Sequence, residues 1–193
     1  IPAMEPNTVL LTHQMPIDYE TDNSFTAPIN WMYAPNYQRG DLPYAMLYTE
    51  KRVGGGILPV LEPNKAIQIN YRTVTFHGNT SQSIVIYMPP NGCLRVLDPA
   101  LGDAETYNKE SRHLVDAIYL SDPSLIHTEE ENAVPAFFPE PEHDWCYYYT
   151  KAELARQVGD WKNIIDLEEE ANVNGHSPED PFEWMPFIEA NAM

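Results

Sequence analysis

At 193 residues, with 43% hydrophobic and 11% aromatic side chains, the chain is long enough for one domain or a small pair and too apolar for wholesale disorder. A formal net charge of −18 argues against nucleic acid or an anionic membrane surface as electrostatic partner, because both require Lys and Arg to neutralise phosphate. The 18 prolines predict long extended connections over the surface.

No run of apolar residues reaches the roughly 18 needed for a transmembrane helix. Residues 1–7 carry neither the basic region nor the apolar core of a signal peptide. The start without Met and the abrupt stop read as a processed form or an excised piece.

Residues 1–43 are rich in Pro, Asn and Asp. Val9, Leu10 and Leu11 form a short apolar run that reads as an edge strand, and the remainder reads as loop. Trp31 and Tyr33 pin that loop by packing beneath it, or stack on a ligand. From residue 44 the texture changes. Residues 45–53, 67–76, 83–88 and 93–97 are β-branched or aromatic runs bounded by turn residues, which predicts a small antiparallel sheet. Asn91-Gly92 marks a hairpin between the last two runs, since both residues tolerate positive φ. His77-Gly78-Asn79 reads as punctuation between strands.

Residues 109–120 place Leu114, Val115, Ile118 and Tyr119 on one helical face, so a helix packs on the sheet, ended by Ser121-Asp122-Pro123. Residues 128–144 are acidic and proline-rich and read as a linker anchored by Phe137 and Phe138. A helical hairpin follows. Gly159-Asp160-Trp161 makes its turn, Ile164, Ile165, Leu167 and Ala171 give its second helix an apolar stripe, and Gly175 ends it. Asp180 caps a further helix with Pro181 in its first turn, and Phe182, Trp184, Phe187 and Ile188 are expected to cover the open face of the hairpin. The fold class is α+β: a β-rich body with one helix over 1–127, a linker over 128–144, and a helical segment over 145–193.

Candidate chemistry is sparse. Gly54-Gly55-Gly56 lacks the Lys-Ser/Thr that a phosphate-cradling loop requires. Ser81 and Ser83 lie near His77 without a nucleophile-elbow frame. Glu140, Glu142, His143 and Asp144 offer oxygen ligands, yet without the Asp-x-Asp-x-Asp-Gly framework they read as a solvated charge run. No metal, cofactor or catalytic residue is expected. Asn79-Thr80-Ser81 matches a glycosylation acceptor in a turn, without meaning in a bacterial protein. Cys93 and Cys146 either pair or stay as buried thiols, and counting does not choose.

The hairpin resembles a tetratricopeptide repeat: Ala152, Ala155, Gly159, Asp160, Trp161 and Ala171 fall at its small-residue, turn and packing positions. Ile164 and Glu168 depart from it. A broader resemblance spans nearly the whole chain. NWMYAP (30–35), GDLPYAMLYTEKR (40–52), HGNTSQ (77–82), PPNGCLRVLDP (89–99) and WCYYYTKAELARQVGDW (145–161) resemble the soluble C-terminal region of uncharacterised multi-pass membrane proteins of Chloroflexota-type bacteria, some of them glycosyltransferase-like.

This resemblance implies an extracytoplasmic place in the bacterial cell envelope, with the membrane reached only through parts absent from this chain. It carries over no catalytic residue. In such a setting pairing of Cys93 with Cys146 is favoured. The expected function is a non-catalytic interaction or scaffolding domain of a larger membrane-associated protein, engaging a protein partner or neighbouring domains. One alternative is a glycan-handling accessory domain of a lipid-linked sugar glycosyltransferase, with Trp31, Tyr33 and Trp145 as ligand-binding aromatics. The other is a structural subunit of a surface assembly.

Overall fold

The computed structural model describes residues 2–15, 22–37, 40–51, 56–131 and 142–193. In chain order the elements are β1 (Pro2–Met4), β2 (Thr8–His13), α1 (Asp22–Tyr33), β3 (Asp41–Leu42), β4 (Tyr44–Tyr48), β5 (Ala66–Tyr71), β6 (Val74–Asn79), β7 (Ser83–Tyr87) and β8 (Arg95–Leu97). There follow α2 (Asp103–Thr106), α3 (Arg112–Ile118), β9 (Ile126–Glu131), α4 (Trp145–Gln157), α5 (Trp161–Val173) and α6 (Met185–Ala192). The fold is α+β.

The main sheet has the order β4-β2-β7-β8, with β2 parallel to both β4 and β7 and only β8 antiparallel. This corrects two expectations. The sheet is mixed rather than antiparallel, and Val9–Leu11 lie in a central strand rather than at an edge. Every residue of β2 is buried. A strand covered on both faces loses the alternation that marks a half-buried one, and so short an apolar run does not reveal its place in the sheet. Smaller sheets, β3-β6-β5 and β1-β9, flank the main one. The single run read over 67–76 is in fact the β5/β6 hairpin, turned at Arg72 with φ of 46°. His77-Gly78-Asn79 are the last three residues of β6 rather than a turn outside it. Asn91, with φ of 61°, does lie in the β7–β8 connection.

One face of the main sheet packs Val9, Leu11, Leu47, Val85 and Leu97 against Leu114, Ala117 and Ile118 of α3. Ala117 takes the place expected of Tyr119, which lies beyond the helix end and is exposed.

The opposite face is covered by α1, in a stretch read as loop. Two polar side chains hold it there. Asn30 Nδ2 donates to the carbonyls of Thr26 (2.7 Å) and Tyr44 (2.9 Å), while its Oδ1 accepts from Tyr44 N (3.1 Å). Thr26 Oγ1 accepts from Met46 N (3.2 Å). Both residues thus satisfy the outer backbone of β4, which terminates the sheet on that side. With Pro28 inside the helix, such tertiary contacts outweigh weak helix propensity.

The helical segment follows its sequence signals. Asp144 caps α4, Asp160 caps α5, and Gly159 (φ 71°) and Gly175 (φ 78°) take left-handed conformations. Ile164, Leu167 and Ala171 are buried against α4, and Phe187 and Ala190 of α6 complete this core. Phe182 and Ile188 do not: they are 55% and 57% exposed, Ile188 because the helical spacing that turns Phe187 inward turns it out, and Phe182 in the 3-10 turn Pro181–Trp184 that precedes α6.

A disulfide joins Cys93 to Cys146 (S–S 2.04 Å, Cα–Cα 5.2 Å). Beside it the buried Glu183 carboxylate accepts from Cys93 N (2.7 Å) and Trp145 Nε1 (2.6 Å). Sheet, hairpin and C-terminal segment therefore meet at one point. Gly54, Gly55, Phe137, Phe138, Glu140 and most of the expected linker lie outside the described residues.

Candidate functional site

The register of the main sheet puts Leu10, Met46 and Ile84 side by side on the α1 face, with Thr12, Ile86 and Val96 beyond them. These side chains floor a cavity of about 380 Å³. Phe25, Ile29, Met32 and Tyr33 form the wall given by α1, spaced as one helical face. Met4 of β1, Ile126 of β9 and Leu154 of α4 contribute the other sides. Asn30 and Thr26 position this wall, since they fix α1 along β4 instead of over the middle of the sheet.

The lining contains no acid, base or thiol. Its two polar side chains differ in what they have left to offer. Thr12 Oγ1 is committed to Leu47 O at 3.2 Å. The Tyr33 hydroxyl makes no hydrogen bond among the described residues, and burial pushes its pKa up, which keeps it a neutral donor. The Tyr33 ring meets Tyr44 edge-on at 6.0 Å, and Tyr44 is anchored by its hydroxyl to Met4 O (2.7 Å). Met4, Met15, Met32 and Met46 supply flexible thioethers that adapt to a guest's shape. Such a site holds hydrocarbon by area and orients it through one hydrogen bond.

Of the aromatics singled out from sequence, only Tyr33 lies here. Trp31 projects from α1 at 63% exposure. Trp145 is buried in the helical core, against Trp184 and Phe187 and hydrogen-bonded to Glu183. The fold does not bring the three together, and Trp145 has no open face for stacking.

The remaining candidates are spent locally. Ser83 Oγ donates to Thr80 O, Ser81 Oγ meets Asn64, and exposed His77 lies 4.0 Å from Asp41. His143 stacks on Tyr147 at 3.7 Å, and Asp144 serves as a helix cap. Among the described residues no three His, Cys, Asp or Glu side chains converge to hold a metal ion. No described helix is long and apolar enough to cross a membrane.

Among the buried polar residues that sequence reasoning missed, two stand out. His13 ends β2, where its Nδ1 meets Thr49 Oγ1 at 2.7 Å while Nε2 has no partner. Desolvation lowers its pKa, so the ring is held neutral against Tyr87. Arg95 is the other, a cation in the interior of a strand run with 4% exposure. A buried arginine demands partners from distant segments, and no local pattern announces them. Comparison with protein-family models, curated proteins and solved structures gives no match to this chain.

Proposed function

We propose that this chain is a binding module, non-catalytic and extracytoplasmic, that holds the hydrocarbon chain of a lipid-like ligand for a larger membrane-associated protein. The observation that carries this reading is the cavity beside α1: apolar but for Thr12 and Tyr33, of a volume usual for ligand pockets, with the Tyr33 hydroxyl available to a polar head. A helix docked from another protein fits it poorly. One helical turn, about 10 Å across and 5.4 Å long, already occupies roughly the whole cavity. The disulfide supports placement outside the reducing cytoplasm, as does the resemblance to envelope proteins.

A second reading, docking of a protein partner through the tetratricopeptide-like segment, is favoured by the outward stripe of Phe182, Met185 and Ile188. Native mass spectrometry with fatty alcohols and isoprenols tests the first. One chain should bind per protein, and Ile84→Trp, which fills the floor, should abolish binding. Absence of a saturable complex with any chain would end the proposal.

A further inference from the structure

A second cavity, of about 120 Å³, lies on the other side of β8 and α4, where they meet α2 and the C-terminal segment. It is polar. Two arginines, Arg95 and Arg156, face three carboxylates, Asp103, Glu153 and Glu189. Both arginines are held in place. Arg95 donates through Nη1 to the Tyr107 hydroxyl and through Nη2 to Asp180, with its guanidinium 5.7 Å from the centre of the Tyr149 ring. Arg156 clasps Glu189 through Nε (2.6 Å) and Nη2 (2.7 Å).

An ion-pair network that served packing alone would spend its polar atoms on one another. Here several are left over. The Tyr149 hydroxyl, on a side chain only 2% exposed, makes no hydrogen bond among the described residues. Arg95 Nε is buried without an acceptor. Glu153 has one long contact, Oε1 to Arg156 Nη1 at 3.5 Å, which leaves Oε2 free. Asp103 uses Oδ2 on Asp98 N (2.7 Å) and keeps Oδ1. The unspent Tyr149 hydroxyl, Glu153 Oε2 and Asp103 Oδ1 therefore belong to side chains that line the same small space, together with Tyr107 and Phe182, whereas Arg95 Nε is sealed from it.

Charge decides what such a space accepts. Even with Glu153 neutral, the carboxylates of Asp103, Glu189, Asp180 and Glu183 outnumber the two arginines. An anion entering here meets net repulsion in a medium that screens poorly. A hydroxyl can donate to a carboxylate and accept from a phenol at once, and the C–H face of a sugar ring packs on aromatic carbon. We infer that this cleft, too small at about 120 Å³ to enclose a hexose, grips one edge of a neutral sugar residue whose ring extends outside it, with Tyr149 donating to its hydroxyls and Glu153 and Asp103 accepting from them. The inference is independent of the apolar cavity.

The test uses the whole chain with glucose, mannose, N-acetylglucosamine and their methyl glycosides as probes, titrated while the Arg95 and Arg156 Nε–H resonances are followed by NMR. A saturable shift of both is expected with at least one probe. Tyr149→Phe keeps the ring and should weaken binding about tenfold, the loss of one hydrogen bond, with an unchanged melting temperature and unchanged fatty-alcohol binding. The inference is overturned if no neutral sugar shifts these resonances, if Tyr149→Phe binds like the parent, or if inorganic phosphate shifts them in preference to every sugar.

Discussion

Replacing Glu153 by Gln should change how stability depends on pH. The side chain is 7% exposed, and desolvation, reinforced by Asp103 and Glu189, pushes its pKa to about 7 from 4.5 despite Arg156 and Arg95. Between those values the folded state holds a proton that the unfolded chain releases. Stability contributed by the neutral carboxyl is therefore complete below pH 4.5, falls as pH rises to about 7, and is level above. At about 1.4 kcal/mol per pH unit the fall amounts to about 3 kcal/mol. Gln is neutral throughout and keeps a contact to Arg156. Urea unfolding followed by circular dichroism, on parent and Glu153→Gln across this range, measures the difference. It should grow in the variant's favour up to about pH 7 and then stay constant. His13, which burial holds below its usual range, acts with the opposite sign but equally in both proteins, so it drops out. A difference that does not vary with pH would refute the assignment of a neutral, desolvated Glu153.

Three further outcomes are expected. Cys93→Ser with Cys146→Ser releases a cross-link of sequence separation 53 and should cost about 4 kcal/mol in chemical denaturation; a loss below about 1 kcal/mol would contradict this. A Cβ at Gly159 would meet no atom beyond its chain neighbours nearer than 3.9 Å, so the cost expected of Gly159→Val is the strain of a β-branched residue at φ of 71°. It should exceed about 1 kcal/mol, and an unchanged thermal midpoint would remove that account. Phe187→Ala empties the core shared by α4, α5 and α6 and should destabilise by about 3–5 kcal/mol, with a tolerated substitution showing that α6 does not seal the hairpin.

The helical segment was legible because its signals are local. The stripe through Ile164, Leu167 and Ala171 has helical period, and Gly159 and Gly175 mark ends that only positive φ allows. Asn91 likewise announced the β7–β8 connection. The sheet order was not legible. Parallel pairing of β2 with β4 and β7 is a long-range choice, and Val9-Leu10-Leu11 carries no record of which neighbours it takes. The helix α1 was hidden by its own function: Thr26, Pro28 and Asn30 look like loop residues, and two of them serve the edge of β4. Tyr33 could be singled out, but not its cavity, because an empty volume belongs to no residue. Arg95 stood unnoticed in an apolar run, its partners Tyr107 and Asp180 being 12 and 85 residues away.

The partition between the two cavities is thin. On β8, Val96 faces the apolar one while Arg95 and Leu97 border the polar one. On α4, Leu154 and Glu153 divide in the same way. A single layer of strand and helix, stapled at one end by Cys93–Cys146, separates the two guests that the cavities would take. Were one guest to displace that layer, the other would meet a changed site and bind with changed affinity. Linkage then requires the effect to be reciprocal: the factor by which a hydrocarbon alters sugar binding equals the factor by which sugar alters hydrocarbon binding. If both guests bind as proposed, reduction of the disulfide, which would loosen the shared wall, should change the strength of that exchange as well as the stability of the fold.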